Sequence, residues 1–241
     1  MVSDTDWLVR TRLLVGDAAI GRLQACHVLL AGVGGVGGHV AEAVARAGVG
    51  RITLIDMDYV ALSNLNRQLV ATTSTMGMAK AEVMKTRILT INPDCRVDVM
   101  VQMVCQDAYE LLSALNPDYV VDAIDSVNCK VALLQAAQRL GISTFSSMGA
   151  GRRLDVRAVR LCDLMETSGC ALARVVRQRL RKAGIGKGIK VVTSDELPRA
   201  AGPLEPAGEG RMRAVNGTVS YMPALFGTLL AGELIRSIVE S

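Results

Sequence analysis

The chain has 241 residues, enough for one full core or a core with a small appendage, which excludes two large independent domains. Half of it is apolar and 21% is charged, so global disorder is excluded, and 3% aromatic content excludes a dedicated base-stacking platform built from Trp7, Phe145, Phe226 and four tyrosines. A formal charge of +4 admits an anionic partner without requiring one.

The first twelve residues hold Asp4, Asp6, Arg10 and Arg12 where the apolar run of a secretory leader would lie, so the expected compartment is the cytoplasm. Residues 27–33 form an apolar run into Gly32-Val33-Gly34-Gly35-Val36-Gly37, and an alanine-rich stretch follows over 39–47. That order reads as strand, tight turn, helix. Gly48 to Gly50 end the helix, and residues 51–56 supply the next strand, completing a βαβ unit. A loop with Asp56, Met57 and Asp58 and the run Ser63 to Gln68 precedes a helix over 78–90, closed by Asn92-Pro93. Alternation over 96–101 predicts a third strand. Asp107 caps a helix toward Ala114, residues 119–124 form a fourth strand, 128–140 a helix, and 143–147 a fifth strand. Five strands alternating with helices predict an α/β protein, a Rossmann-like, mostly parallel sheet with helices on both faces.

After Gly149-Ala150-Gly151 the texture changes. Strands over 156–161 and 189–192 flank a basic helix at 172–182 and extend the sheet in mixed or antiparallel sense. Residues 194–210 carry three of the six prolines and read as a mobile crossover or lid. Residues 221–239 read as a helix starting near Pro223. Glu233 inside it argues against membrane insertion. The expected organisation is a single domain with a nucleotide-binding core at 12–151 and an extension at 152–241.

The glycine turn has the physics of a phosphate site, because missing β-carbons admit a polyphosphate to the backbone and to a helix N-terminus. Asp56 ends the second strand, where a carboxylate accepts ribose hydroxyls. The turn alone leaves NAD and ATP open. Arg67, in the loop Asn64-Leu65-Asn66-Arg67-Gln68, and Lys80 put two long cations on the ligand side of the sheet, which suits a triphosphate attacked at its α-phosphate. Asp122 and Asp125 end the fourth strand. Asp125 is the better placed to hold Mg2+, and Asp122 the one tied to backbone groups. His27 and His39 are poor catalytic candidates. The six cysteines contain no CxxC pair and read as free thiols. Cys26, Cys95, Cys105 and Cys129 are expected to pack as small hydrophobes, whereas Cys162 and Cys170 flank the one loop where an exposed thiol could meet an activated acyl group.

Together, Gly32 to Gly37, Asp56-Met57-Asp58, Ser63 to Gln68, Gly77 to Glu82, Ile91-Asn92-Pro93 and Asp122 to Ser126 resemble the ubiquitin-activating-enzyme-like superfamily of adenylyltransferases. The resemblance implies that Gly32, Gly34, Gly35 and Gly37 hold ATP phosphates and that Asp56, with Asp58 beside it, holds the ribose. It implies nucleotide contacts from Asn64, Arg67, Gln68 and Lys80, and Mg2+ placement by Asp125. It also implies that Arg12 reaches into a partner subunit's site, hence a homodimer.

Within the superfamily the chain is similar to the tRNA threonylcarbamoyladenosine dehydratases, through residues 80–84, 122–126, the turn Ser147 to Gly151, and Asp163-Leu164 before the basic helix. That similarity implies ATP-dependent cyclisation of the threonylcarbamoyl side chain on adenosine 37 of tRNA, by way of an acyl-adenylate. Arg152, Arg153, Arg157, Arg174, Arg177, Arg179, Arg181, Lys182, Lys187 and Lys190 become candidates for RNA backbone contacts, against the plainer reading of a solvated helix face. A sulfur-transfer protein is a further candidate partner. The alternatives are an adenylyltransferase acting on the carboxyl terminus of a ubiquitin-like carrier, an NAD-dependent oxidoreductase, and a non-enzymatic nucleotide sensor. The chain lacks the paired CxxC zinc motifs and the separate cysteine domain of other branches, which favours the dehydratase reading.

Overall fold

The structure is a computed structural model that describes residues 6–206 and 212–241. Two short helices that the sequence pattern did not announce open it, α1 (Val9–Val15) and α2 (Asp17–Ala25). Between them stands Gly16 at φ 82°, a left-handed backbone that glycine adopts without penalty.

The strands β1 (His27–Ala31), β2 (Arg51–Ile55), β3 (Arg96–Met100), β4 (Tyr119–Asp122) and β5 (Ser143–Ser147) alternate with α3 (Gly37–Arg46), α4 (Lys80–Ile91), α5 (Ala108–Leu115) and α6 (Val127–Arg139). β6 (Val159–Asp163), α7 (Ala171–Lys182) and β7 (Ile189–Ser194) follow. All seven strands form one sheet in the order β3-β2-β1-β4-β5-β7-β6. β7 continues the parallel pairing and β6 is antiparallel to it at the edge. The central strand β1 is buried at every residue, as a strand covered on both faces must be, and its HVLLA sequence reads as an apolar run rather than an alternation. Edge strand β6 stays half-exposed, with Leu161 open to solvent. One face of the sheet is covered by α3, α4 and α8 (Tyr221–Val239). The other is covered by α5 and α6, with α7 packed on α6.

Two expectations need correction. The strand expected at 156–161 begins at Val159, because Val156–Ala158 winds into a 3₁₀ turn whose Asp155 carboxylate accepts the Arg157 N–H. The span 194–210 is not all crossover. Ser194 ends β7, and β8 (Leu204–Pro206) pairs antiparallel with β9 (Met212–Ala214). The rest of that expected loop, 207–210, lies outside the described residues.

α8 is long and apolar enough to cross a membrane by length and composition. It nevertheless packs along α3 and α2, and buries Met222, Phe226, Leu230, Leu234 and Ile238 at helical spacing. Arg22 on α2 donates to the Ile238 and Val239 carbonyls, capping its last turn. α8 comes hard against the start of α3 at Gly227, where a β-carbon would stand 2.5 Å from the Val36 carbonyl oxygen and 2.7 Å from His39 Cβ. Gly227→Val is therefore expected to push α8 off the start of α3 and to cost at least about 1–3 kcal/mol by overpacking. Thermal denaturation checks this, and an unchanged melting temperature would contradict it.

Candidate active site

β1, β2, β4 and β5 end at one sheet edge, and the order reverses between β1 and β4, which opens a crevice outside their carboxyl ends. A cavity of about 750 Å³ occupies it.

The glycine turn forms one wall. Gly32 sits at φ 91°, with the Ala123 carbonyl oxygen 2.7 Å from where a β-carbon would be, so this position excludes every side chain. Gly34, Gly35 and Val36 line the cavity, and the N-terminus of α3 opens against it. Gly37 does not line it. Its missing side chain lets the turn close on the Gly32 carbonyl instead.

Asp56 follows β2. One carboxylate oxygen accepts the Val33 N–H at 2.6 Å and the other the Asp58 N–H at 2.8 Å, tying the acid to the glycine turn. Burial pushes its carboxyl above the usual carboxylate range, opposed by those two N–H groups and by the Lys80 charge. Asp58 accepts Lys80 Nζ at 2.8 Å, and the Lys80 stem is buried, 5% exposed. Asn64 is also buried, and its Oδ1 holds the Ala61 N–H at 3.1 Å, which fixes the turn carrying Arg67. Arg67 donates to the Ser63 carbonyl and to Asn66 Oδ1. Gln68 is buried, and its Oε1 has no partner, an acceptor that costs free energy unless a ligand or water meets it. Asp56, Asp58, Asn64, Arg67, Gln68, Lys80 and Asp125 all line the one cavity.

Asp122 is not held by backbone alone. It is fully buried and accepts Lys130 Nζ at 2.5 Å, Ser146 Oγ at 2.5 Å and the Ile124 N–H at 3.0 Å, while Lys130, also fully buried, donates to the Ser147 carbonyl. This network fastens the ends of β4 and β5 and so positions the loop bearing Asp125. Lys130 was not legible in the sequence, because a lysine four residues into a helix reads as solvated.

Arg12 is absent from the cavity lining. It lies on α1, paired with Asp6 at 2.8 Å and with Asp17. The pairing with Asp6, then Asp17, raises its affinity for the proton further.

The far wall joins the turn and the arginines that the sequence singled out to a segment it did not. Asn216, Thr218 and Pro223 line it together with Gly149 to Arg153. The link is direct, since Asn66 Nδ2 donates to the Thr218 carbonyl at 3.3 Å. No motif marks Asn216 or Thr218, and only the folded sheet brings them near.

Among the basic residues proposed for RNA, most have partners within the chain. Arg153 is buried and donates to the Glu196 and Gly149 carbonyls. Arg157 meets Asp155, Arg177 the Thr167 carbonyl, Arg179 Asn128, Lys187 Glu166 and Lys190 Glu233.

Among the cysteines, Cys26, Cys95 and Cys129 are buried, and Cys105 is half-buried in a loop. Burial pushes the thiols of Cys26 to about 12 and of Cys95 to about 11. Cys170 is buried rather than exposed, and it lines the cavity at the start of α7. Burial raises its thiol, but hydrogen bonds from the Ala173 and Gly149 backbone and the nearby Arg153 charge outweigh that, leaving it below the usual thiol value. Slow alkylation of native protein by iodoacetamide is thus expected to begin at Cys170 at lower pH than at Cys26 or Cys95, and to be blocked by ATP. Peptide mapping reads this, and equal labelling of the three would contradict it.

The ThiF family profile matches residues 8–241. The tRNA threonylcarbamoyladenosine dehydratase of Bacillus subtilis (strain 168) is 35% identical over 238 residues, covering 96% of this chain and 94% of that protein. The crystal structure of the Escherichia coli tRNA N6-threonylcarbamoyladenosine dehydratase in complex with AMP superimposes with a TM-score of 0.87 at 36% identity, covering 100% of this chain and 97% of that one. The complex of the same enzyme with ATP gives 0.86, with the same identity and coverage. Matched from Leu8 to its last residue, and with the glycine turn, Asp56, Arg67, Lys80 and Asp125 gathered about one cavity, the chain belongs to the ThiF family and, within it, to the tRNA threonylcarbamoyladenosine dehydratases.

Proposed function

We propose that the protein dehydrates N6-threonylcarbamoyladenosine at position 37 of tRNA to its cyclic form, using ATP to adenylate the side-chain carboxylate. The observation that carries this reading is a single cavity with nucleotide-binding chemistry at one end and a second region at the other, framed by Gly149 to Gly151, Asn216 and Thr218. An acceptor carboxylate can approach the nucleotide there.

The chain's residues suit the nucleotide. The glycine turn and the start of α3 would receive phosphate oxygens, Asp56 is anchored by two N–H groups with lone pairs left on both oxygens for ribose hydroxyls, and Gln68 Oε1 supplies an unspent acceptor. Arg67 and Lys80 hold positive charge where the α-phosphate loses pyrophosphate. Among the described residues no group of three or more metal-type side chains occurs, which suits Mg2+ bound chiefly by phosphates with Asp125 as its protein ligand. When bound, Mg2+ would neutralise the charge of the leaving pyrophosphate.

A carboxylate oxygen of the substrate bonds to the α-phosphorus as the bond to the bridging oxygen breaks, releasing pyrophosphate. The ureido nitrogen then attacks the activated carbonyl carbon, AMP departs with the bonding electron pair, and the nitrogen loses its proton. Closure is intramolecular, so it needs orientation rather than an enzyme nucleophile. It moves no sulfur, so a sulfur-transfer partner is not required for it. We further infer a homodimer, in which Arg12 serves the neighbouring copy's site. Its exclusion from its own cavity and the exposed Leu13 and Leu14 on the same helix support that arrangement. The expected compartment is the cytoplasm.

The test is the product of ATP turnover with tRNA bearing the modified adenosine. AMP and pyrophosphate are expected in equal amounts, and ADP would overturn the adenylation chemistry.

A further inference from the structure

A second cavity, of about 290 Å³, adjoins the first and shares Arg152, Arg153 and Thr218 with it. Its lining adds Arg199 and contains no carboxylate. The neighbouring acid, Glu196, spends its carboxylate on the Leu154 and Asp155 N–H groups.

Three guanidinium-bearing residues around one opening repel each other unless an anion joins them. The backbone holds them there despite that cost. Arg152 N–H donates to the Gly217 carbonyl at 2.8 Å, and Arg199 N–H donates to the Arg152 carbonyl at 2.9 Å. Arg152 is also one of two non-glycine residues at positive φ among the described residues, at 63°, a conformation that persists only where surrounding contacts impose it. Arg153 is buried and committed to carbonyls. Thr218 Oγ1 is buried without a hydrogen-bond partner and lies on the wall common to both cavities. Arg152 spends one guanidinium N–H on the Arg199 carbonyl at 3.3 Å, which holds the two arginines together. The combination is two cations with further N–H groups, a fixed third charge and an unsatisfied hydroxyl, which is the donor set of a phosphate site.

We propose that this second cavity binds a backbone phosphate of the RNA immediately beside the modified adenosine, with Arg152, Arg199 and Thr218 Oγ1 as donors. The proposal rests on the tRNA reading above. Exposed Arg199 leaves the cavity open to solvent, as a continuing polynucleotide requires, while the function proposed above gives the phosphates of ATP to the glycine turn, Arg67 and Lys80. Seating a flanking phosphate here would fix the register of the strand and carry the modified base to the cavity holding ATP.

The experiment uses the full chain and an anticodon stem-loop RNA carrying the modified adenosine, compared with RNAs in which one flanking linkage is a neutral methylphosphonate. Arg199→Gln and Arg152→Gly are the variants, the latter matched to the left-handed backbone so that the fold is kept. For Arg199→Gln the KM for RNA is expected to rise several-fold with kcat unchanged, the dependence of log affinity on log salt is expected to lose about one unit of slope, and ATP binding without RNA should match the parent protein. One neutral linkage should reproduce that loss in the parent and add nothing in the variant. Unchanged RNA affinity and salt slope in both variants would overturn the phosphate site, as would losses that add for every neutral linkage. Weakened competition by inorganic pyrophosphate with RNA affinity intact would reassign the cavity to the leaving group. Absence of cyclisation by the parent protein would instead bring down the tRNA reading itself, so the two failures are separable.

Discussion

Replacing Lys130 with methionine is expected to remove about 3–5 kcal/mol of folding stability, the loss seen when one partner of a buried ion pair is deleted. Asp122 would then keep only Ser146 Oγ and the Ile124 N–H, with both it and the mutated side chain at 0% exposure and no water to screen its charge. For a domain of this size each kcal/mol moves the melting temperature by about 2–4 °C, so a fall on the order of 10 °C is expected. Nucleotide affinity should fall as well, since the same network holds the strand end that leads to Asp125. Neutralising both partners, as Asp122→Asn with Lys130→Met, should recover much of the stability, because the cost lies in the orphaned charge more than in the lost pair. A melt of Lys130→Met within about 1 kcal/mol of the parent would show that the network does not support this edge of the sheet.

Lys80→Met is expected to act on chemistry instead. The stem of Lys80 is buried while its partner Asp58 is exposed, so the substitution fills the same space and leaves no charge stranded in the core. Stability should hardly change. The charge it places near the transferring phosphoryl group is lost, and the removal of one preorganised donor of this kind lowers kcat by about 10²–10³. Lys80→Arg should not restore it, since the larger, branched head has no room on a stem enclosed at 5% exposure. Single-turnover rates of AMP formation decide the matter. Parent-like rates in Lys80→Met would remove Lys80 from the transition state.

The centre of the sheet was readable because β1 is buried on both faces and so appears as an apolar run, HVLLA, that ends at Gly32. The site residues of the first half were readable for a related reason. Asp56 and Asp125 lie just after a strand and Lys80 at a helix start, where a parallel sheet puts its ligand edge, whereas Arg67 sits in the long loop between β2 and α4. Gly37 shows the limit of that logic, since a glycine needed for backbone closure looks the same in sequence as one that faces a phosphate. Lys130 and Arg153 show another, because long cations are normally solvated and only the folded structure reveals that carboxylate and carbonyl oxygens surround them. Thr218 and Asn216 carry no pattern at all. They reach the cavity because α8 lies along α3 at Gly227 and leads the preceding segment back over the glycine turn.

The most direct test of the proposed function is the mass of the modified nucleoside after incubation of threonylcarbamoyladenosine-bearing tRNA with the protein and ATP. The account predicts loss of one water from that nucleoside, dependent on ATP and abolished by Asp125→Ala. ATP turnover with the nucleoside mass unchanged, and pyrophosphate exchange driven by a protein carrier's carboxyl terminus instead, would contradict it.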